Sequence, residues 1–425
     1  MAVPLRTARP LALGAMTALL LASAGCTINR FDKRMVYHLG HPLAVEDEAF
    51  GRSLAAFGFA LVLGNEAEIY NNGDEIFPAM TAAIRGARTS VNLESYIFWD
   101  DRAGTMVADA LIDAARNGVE VRVLVDGTGS KFTRGQLDRM RLAGVRAAVY
   151  HRVRPWSLHK IAHRTHRKIL VVDGTTSFTG GFGIGDRWLG DARGPEEWRD
   201  MMVRATGPVA AQMQAIFSED WTYTTGEILA GEKFYPAVTS VGDVPAQAIK
   251  TSHSDPSSLA AMLYYFAIES ARTSIHIQNA YFVPGRQLRG ALIRAAERGV
   301  DVRIMVPGRY MDQPLLALTL RRHYGELLRA GVRIFEYDRT MMHNKDAVFD
   351  GVFTTIGSIN FDPRSLHENA EDSLVFYDRG LAARLEAVFA GDARYSREIT
   401  LQTWERRGVE SRVGELFASL FRPLY

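Results

Sequence analysis

The sequence predicts an α/β fold made of two duplicated lobes, each a mixed β-sheet flanked by helices, with a site where the lobes meet about a pseudo-two-fold axis. Three observations point there. Segments recur in the same order in both halves: ARTSVNLESYIF (87–98) with ARTSIHIQNAYF (271–282), NGVEVRVLVDG (117–127) with RGVDVRIMVPG (298–308), and LAGVRAAVY (142–150) with RAGVRIFEY (329–337). Within each half, β-branched runs alternate with helical periodicity, the pattern of strand–helix–strand units. Finally, HRKILVVDG (166–174) and HNKDAVFDG (343–351) carry the same polar residues at the same spacing. A duplication that repeats both its core and its polar residues predicts one site built from two halves.

The N-terminus reads as a secretory signal over 1–25: Arg6 and Arg9 are followed by the apolar run LALGAMTALLLA (11–22) and small residues. The run is shorter than the roughly 20 residues a spanning helix needs. It ends in SAGC (23–26), which resembles a bacterial lipobox with Cys26 as the lipidated residue, although ASA (22–24) also suits ordinary signal peptidase. The expected location is exported and membrane-associated, lipid-anchored on the periplasmic side of a bacterium. Cys26 is the only cysteine, so no internal disulfide can form.

Residues 26–50 read as a linker, and LAAFGFALVLG (54–64) as the first core element. The N-terminal lobe is expected over 51–240 and the C-terminal lobe over 241–425, with the boundary within 235–256. Val91, Leu93, Val119, Val121 and Val123 mark strands, and MVADALIDAARNG (106–118) has helical spacing and a glycine stop.

At 425 residues and 47% hydrophobic content the chain can bury two sizeable cores. Without Arg6 and Arg9, 48 basic residues balance the 48 acidic ones. That argues against a nucleic-acid partner, which needs a surplus of positive charge.

Residues of equal parity share a strand face. His166 and Lys168 are therefore expected to reach a cleft from the strand's start, while Leu170 and Val172 enter the core; His343 and Lys345 repeat the arrangement. Asp173-Gly174 and Asp350-Gly351 are hairpin signals, so these two aspartates are assigned a structural role. The chain has 7 Lys and 43 Arg, yet both motif cations are Lys, which suits a compact point charge rather than a planar fork.

The doubled His-x-Lys-x4-Asp pattern resembles the phospholipase D superfamily. With GGFGIGDRW (180–188), EWRDMMVRATGP (197–208), GSINFDPRS (357–365), ENAEDSLVFYD (368–378), WERR (404–407) and RPLY at the C-terminus, the sequence over 50–425 is similar to bacterial cardiolipin synthases of that type. A signal segment stands where such enzymes have a pair of transmembrane helices. The resemblance implies a phosphatidyltransferase that condenses two phosphatidylglycerols into cardiolipin and glycerol, with no cofactor and no metal. Its partners would be phospholipid and a membrane surface, with no obligate protein partner. A hydrolase of the same superfamily and a catalytically silent lipoprotein are the alternatives.

The resemblance implies roles as well. His166 would attack phosphorus and His343 would protonate the leaving alkoxide, with Lys168 and Lys345 balancing charge. Asp200 would orient His166, and Glu371 would orient His343. Asn360, Ser358 and Gly181 would bind the substrate phosphate. The offset of 177 between the motifs places Gly183 opposite Asn360, so the first half lacks that amide. GGFG and GTGS (127–130) resemble phosphate-cradling loops. RVRPWSLHKIAHR (152–164), with Trp156, could dock on anionic headgroups or be a solvated loop.

Overall fold

A computed structural model describes residues 36–131, 134–151, 164–252 and 258–408. The expected signal segment with Cys26, the stretch around Trp156 and the C-terminal RPLY lie outside these residues.

The first half contributes β1 (Val62–Asn71), β2 (Ser90–Ser95), β3 (Glu120–Asp126), β4 (Arg146–Tyr150), β5 (Lys168–Val172), β6 (Thr176–Gly180) and β7 (Met201–Thr206). The second contributes β8 (Val244–Thr251), β9 (Ser274–Asn279), β10 (Asp301–Pro307), β11 (Arg333–Tyr337), β12 (Lys345–Phe349), β13 (Phe353–Gly357), β14 (Glu371–Tyr377) and β15 (Ser396–Ile399). The spatial order is β4-β3-β2-β5-β6-β7-β1 in one half and β11-β10-β9-β12-β13-β14-β8 in the other, with β15 added beside β11. The two orders are the same, so the duplication read from sequence is a duplication of topology. β1 and β8 join the halves through a short, bulged pairing.

Each sheet is mixed for a local reason. β2, β3 and β4 run parallel and so need helical crossovers, whereas β5 and β6 pair antiparallel through a tight turn and β7 returns antiparallel to β6 after the longer 181–200 connection. The helix Arg102–Arg116 begins four residues before the periodic run, because the Asp101 side chain caps it by accepting from Gly104 N at 3.0 Å. The chain then turns into β3 through Gly118 in the left-handed region. Gly144, Gly299 and Gly331 serve the other helix-to-strand turns in the same way, with φ between +88° and +97° across the four.

Alternation along each strand feeds two layers. Leu170 and Val172 pack under the outer helices of the first half, while Ile169 and Val171 face the second half. There they join Met201 and Val203, and from the other sheet Val348, Ile356, Leu374 and Phe376, in a central core. The two sheets are therefore locked face to face.

The N-terminal stretch departs from expectation. Val45, Phe50, Leu54 and Phe57 are buried in the core of the second half, where Phe50 stacks on Phe266 at 4.6 Å. Residues 45–57 thus pack as part of the C-terminal lobe rather than serving as linker and first-lobe core. Phe50, Leu54 and Phe57 form one helical stripe, and an apolar stripe settles on whichever apolar face is adjacent in space. Among the described residues, no helix is long and apolar enough to cross a membrane.

Candidate active site

The site forms where the segment leading into β5 meets the segment leading into β14. Thr165 bridges Ala370 in parallel register, and His166 N donates to Ala370 O at 2.8 Å. The symmetric bridge joins Arg199 to Met342, and His343 N donates to Arg199 O at 2.6 Å. These bridges set the histidine partners. His166 Nδ1 lies 2.7 Å from Glu371 Oε2, and His343 Nδ1 lies 2.9 Å from Asp200 Oδ2. The expected pairing within each half is therefore wrong, and each imidazole is held by a carboxylate of the other half. Both carboxylates are fully buried. With Nδ1 committed to a carboxylate, each ring turns Nε2 toward the cleft.

The cleft encloses about 490 Å³ and is lined by both histidines together with Lys168, Tyr96, Tyr281, Asn360, Arg164, Asp312 and neighbouring side chains. Lys168 Nζ donates to His166 O at 2.8 Å and Lys345 Nζ to His343 O at 2.5 Å, so each ammonium is tethered below its own histidine. Burial lowers Lys168 to about 8 and Lys345 to about 7. Burial also holds His166 well below its ordinary value, reinforced by Lys168, Lys345 and Arg164. His343 is lowered to about 4 by burial and Lys345, against an opposing pull from Asp200. Burial and the neighbouring cations thus disfavour the charged form of both rings, and each turns its Nε2 to the cleft. Burial pushes Glu371 up, opposed by Lys168 and by donors from Ser358, Ser365 and Asn369. Among the described residues, no group of three His, Cys, Asp or Glu side chains is placed to hold a metal ion.

The residues expected to touch the phosphate divide. Asn360 lines the cleft; its Nδ2 makes one bond, to Ser365 Oγ at 3.3 Å, and Oδ1 has no partner. Ser358 is instead turned away, donating to Glu371 Oε2 at 2.6 Å, so it positions the carboxylate rather than binding substrate. Gly181 stands at the same place in the first half, and any side chain there would collide with the Asp200 carboxylate and the His343 carbonyl. Gly183 gives way to Trp188, whose ring lies 2.8 Å from where a Cβ would be. Trp188 Nε1 donates to Asp200 Oδ2 at 2.8 Å. Gly129 lines the cleft, but its N–H and that of Thr128 already bind Asp126, so this turn is not a free phosphate cradle.

Asp173 and Asp350 occupy their hairpin turns at φ +52°. Each carboxylate accepts from the backbone of the repeated ARTS segment: Asp173 from Arg88, Thr89 and Ser90, and Asp350 from Arg272, Thr273 and Ser274. Burial pushes Asp173 up, yet these backbone donors leave it below its ordinary value. Sequence reading missed this pairing although both partners are repeated. It also missed Trp188 and Ser365, which occupy one position under the same offset of 177 and both donate to the orienting carboxylate of their half.

Comparison with known proteins gives the family and the fold. The family model described as "Cardiolipin synthase, PLD-like domain" matches residues 80–221 and 265–393. A cardiolipin synthase of Alkalihalophilus pseudofirmus is 34% identical over 364 residues, covering 85% of this chain and 72% of the relative. One of Halalkalibacterium halodurans is 33% identical over 396 residues, covering 92% and 76%. Among solved structures, phosphatidylserine synthase of Haemophilus influenzae superposes with a TM-score of 0.65 at 16% identity, covering 84% of this chain and 93% of that one. At that identity the likeness shows a shared fold.

Proposed function

This chain belongs to the cardiolipin synthase family of phospholipase D-like proteins, and we propose that it is a phosphatidyltransferase condensing two phosphatidylglycerols into cardiolipin and glycerol through a phosphohistidine. One observation carries the reading: two imidazoles, each anchored by a buried carboxylate, face one cleft with two lysines beneath them. His166 Nε2 attacks phosphorus, the bond from phosphorus to the glycerol oxygen breaks, and His343 delivers a proton to that oxygen. The glycerol hydroxyl of a second phosphatidylglycerol then gives its proton to His343 and attacks phosphorus, breaking the P–N bond.

The assignment of nucleophile follows the charge balance. His166 faces three cations, Lys168, Lys345 and Arg164, which keep its lone pair available. At His343, burial, Lys345 and Lys168 also lower the ring, but Asp200 opposes them. An anionic phosphodiester seated over the lysines offsets their charge and so raises His343 from its lowered value, letting the ring take up the proton it delivers as the acid. Lys168, Lys345 and the Asn360 amide stabilise the equatorial oxygens.

Purified protein on phosphatidylglycerol vesicles should yield cardiolipin and free glycerol by mass spectrometry. Phosphatidic acid as the sole product at every lipid concentration would make the protein a hydrolase instead. Attachment to the membrane through a lipidated Cys26 belongs to the same proposal. A palmitate analogue should label the wild type and not Cys26→Ser; equal labelling would remove the anchor from it.

A further inference from the structure

The cleft is built for an anion, yet it contains a carboxylate. Asp312 follows β10 and lies on the wall beside His343, with both oxygens accepting from Tyr281 OH at 2.9 and 3.1 Å. The opposite wall repeats the scaffold with the reverse polarity. Tyr96 packs on His166 with ring centroids 4.9 Å apart, as Tyr281 packs on His343 at 6.0 Å, and each tyrosine ring lies 5.8 Å from the lysine of its half. Tyr96 OH, however, accepts from Arg164 Nη1 at 3.1 Å. Two tyrosines in similar places, one residue out of register in the repeat (Tyr96 aligns with Ala280), therefore hold opposite charges, a guanidinium on the His166 side and a carboxylate on the His343 side.

A carboxylate on the wall of a phosphodiester site repels the phosphate, so it needs a different ligand group. The two Asp312 oxygens share the single Tyr281 hydroxyl proton; Oδ1 keeps an open lone pair, and on Oδ2 the long 3.4 Å contact from the exposed Gln313 amide is one that an alcohol can replace, so the carboxylate fits a pair of neighbouring hydroxyls. His343 is the ring that exchanges a proton with the departing and the incoming alcohol, so the alcohol lies on this side. We propose that Asp312, fixed by Tyr281, is a hydroxyl-binding subsite that selects a polyol alcohol, a vicinal diol such as a glycerol headgroup, over simple alcohols. Gln313, which also lines the cleft and is exposed, stands on the solvent side of this subsite. The inference rests on the transferase reading above.

The test is an acceptor competition. Purified protein on phosphatidylglycerol vesicles receives deuterated glycerol and 1-propanol at equal concentration, and the ratio of labelled phosphatidylglycerol to phosphatidylpropanol is measured. The wild type should favour glycerol by roughly tenfold or more, the discrimination expected of one or two hydrogen bonds to a charged group. Asp312→Ala should bring the ratio to within about twofold of unity, and Asp312→Asn and Tyr281→Phe should fall between. Asp312→Asn keeps the side-chain shape and gives a readout if the alanine variant does not fold. An unchanged ratio, with both products reduced alike, would overturn the subsite and leave Asp312 as a counter-charge to Lys345. Phosphatidic acid alone from the wild type would instead overturn the transferase reading, and this inference with it.

Discussion

The two halves of the cleft stand on matching strands yet hold their carboxylates with different chemistry. In the first half, Gly183 leaves room for Trp188, whose indole N–H binds Asp200, and Gly181 leaves room for that carboxylate and the His343 carbonyl. In the second, the same three positions are Ser358, Asn360 and Ser365, and the two hydroxyls bind Glu371. Side-chain bulk has moved from one position to another while the requirement, a neutral donor on a buried carboxylate, is met in both. The difference teaches that Gly183 is not a lost phosphate ligand. It is the space a large indole requires, and the remaining amide, Asn360, lies in the cleft on one side only. An interior packed this closely lets volume migrate between neighbours but not accumulate.

The largest effects should separate the two histidines. His166→Ala should lose turnover by about 10⁴-fold or more with any phosphodiester. His343→Ala should lose about 10²–10⁴-fold with phosphatidylglycerol but recover most of the first step on a phosphodiester with a p-nitrophenolate leaving group, which needs no acid. The same substrate tests the crossed pairing. Glu371→Gln should slow the burst of nitrophenolate by about 10²-fold or more, and Asp200→Asn far less, because only the nucleophile's orienter matters there. The opposite ranking would make His343 the nucleophile.

The lysines sharpen the comparison through pH. Burial favours their neutral forms, at about 8 for Lys168 and about 7 for Lys345, whereas the phosphate needs the charged forms. kcat/KM should therefore fall as pH rises through 7 to 8. The limb in kcat should lie higher, because bound phosphodiester stabilises the ammonium groups. A kcat/KM flat to pH 10 would remove the lysines from phosphate binding. Stability runs the other way. Between these values and the ordinary 10.5 the unfolded chain binds more protons, so stability should rise with pH across that window and be lost as pH falls through it. Lys345→Met should then raise stability at pH 7 by a few kcal/mol while abolishing transfer; chemical denaturation checks the first part.

The smallest expected effect concerns the exchanged volume. Gly183→Asn should cost about 1–3 kcal/mol by crowding Trp188. Gly183→Asn with Trp188→Ser, which copies the second half, should recover most of that loss. A double variant no more stable than the single one would mean that the two positions do not share the space.

Much of this was legible in the sequence because it is local. Strand alternation identified Leu170 and Val172 as core, and the Asp-Gly turns, the repeated His-x-Lys and the family resemblance named both histidines, both lysines and both orienting carboxylates. The offset of 177 even aligned Gly183 with Asn360, and would have aligned Trp188 with Ser365 had it been carried five residues further. Local pattern failed at the stripe of Phe50, Leu54 and Phe57, where periodicity specifies a helix but not the half that receives it. It failed also at Ser358, whose hydroxyl lies within reach of Glu371 once β13 and β14 pair.

By itself, the sequence determined the duplicated α/β topology and the identity of the groups that meet at its centre. The tertiary structure alone decided which carboxylate serves which imidazole. That choice depends on Thr165 bridging Ala370 and Arg199 bridging Met342, contacts between segments about 200 and 140 residues apart. Strand periodicity fixes which way a side chain points within its own sheet. Only the packing of one sheet against the other fixes what it points at, so each histidine takes its partner from across the interface.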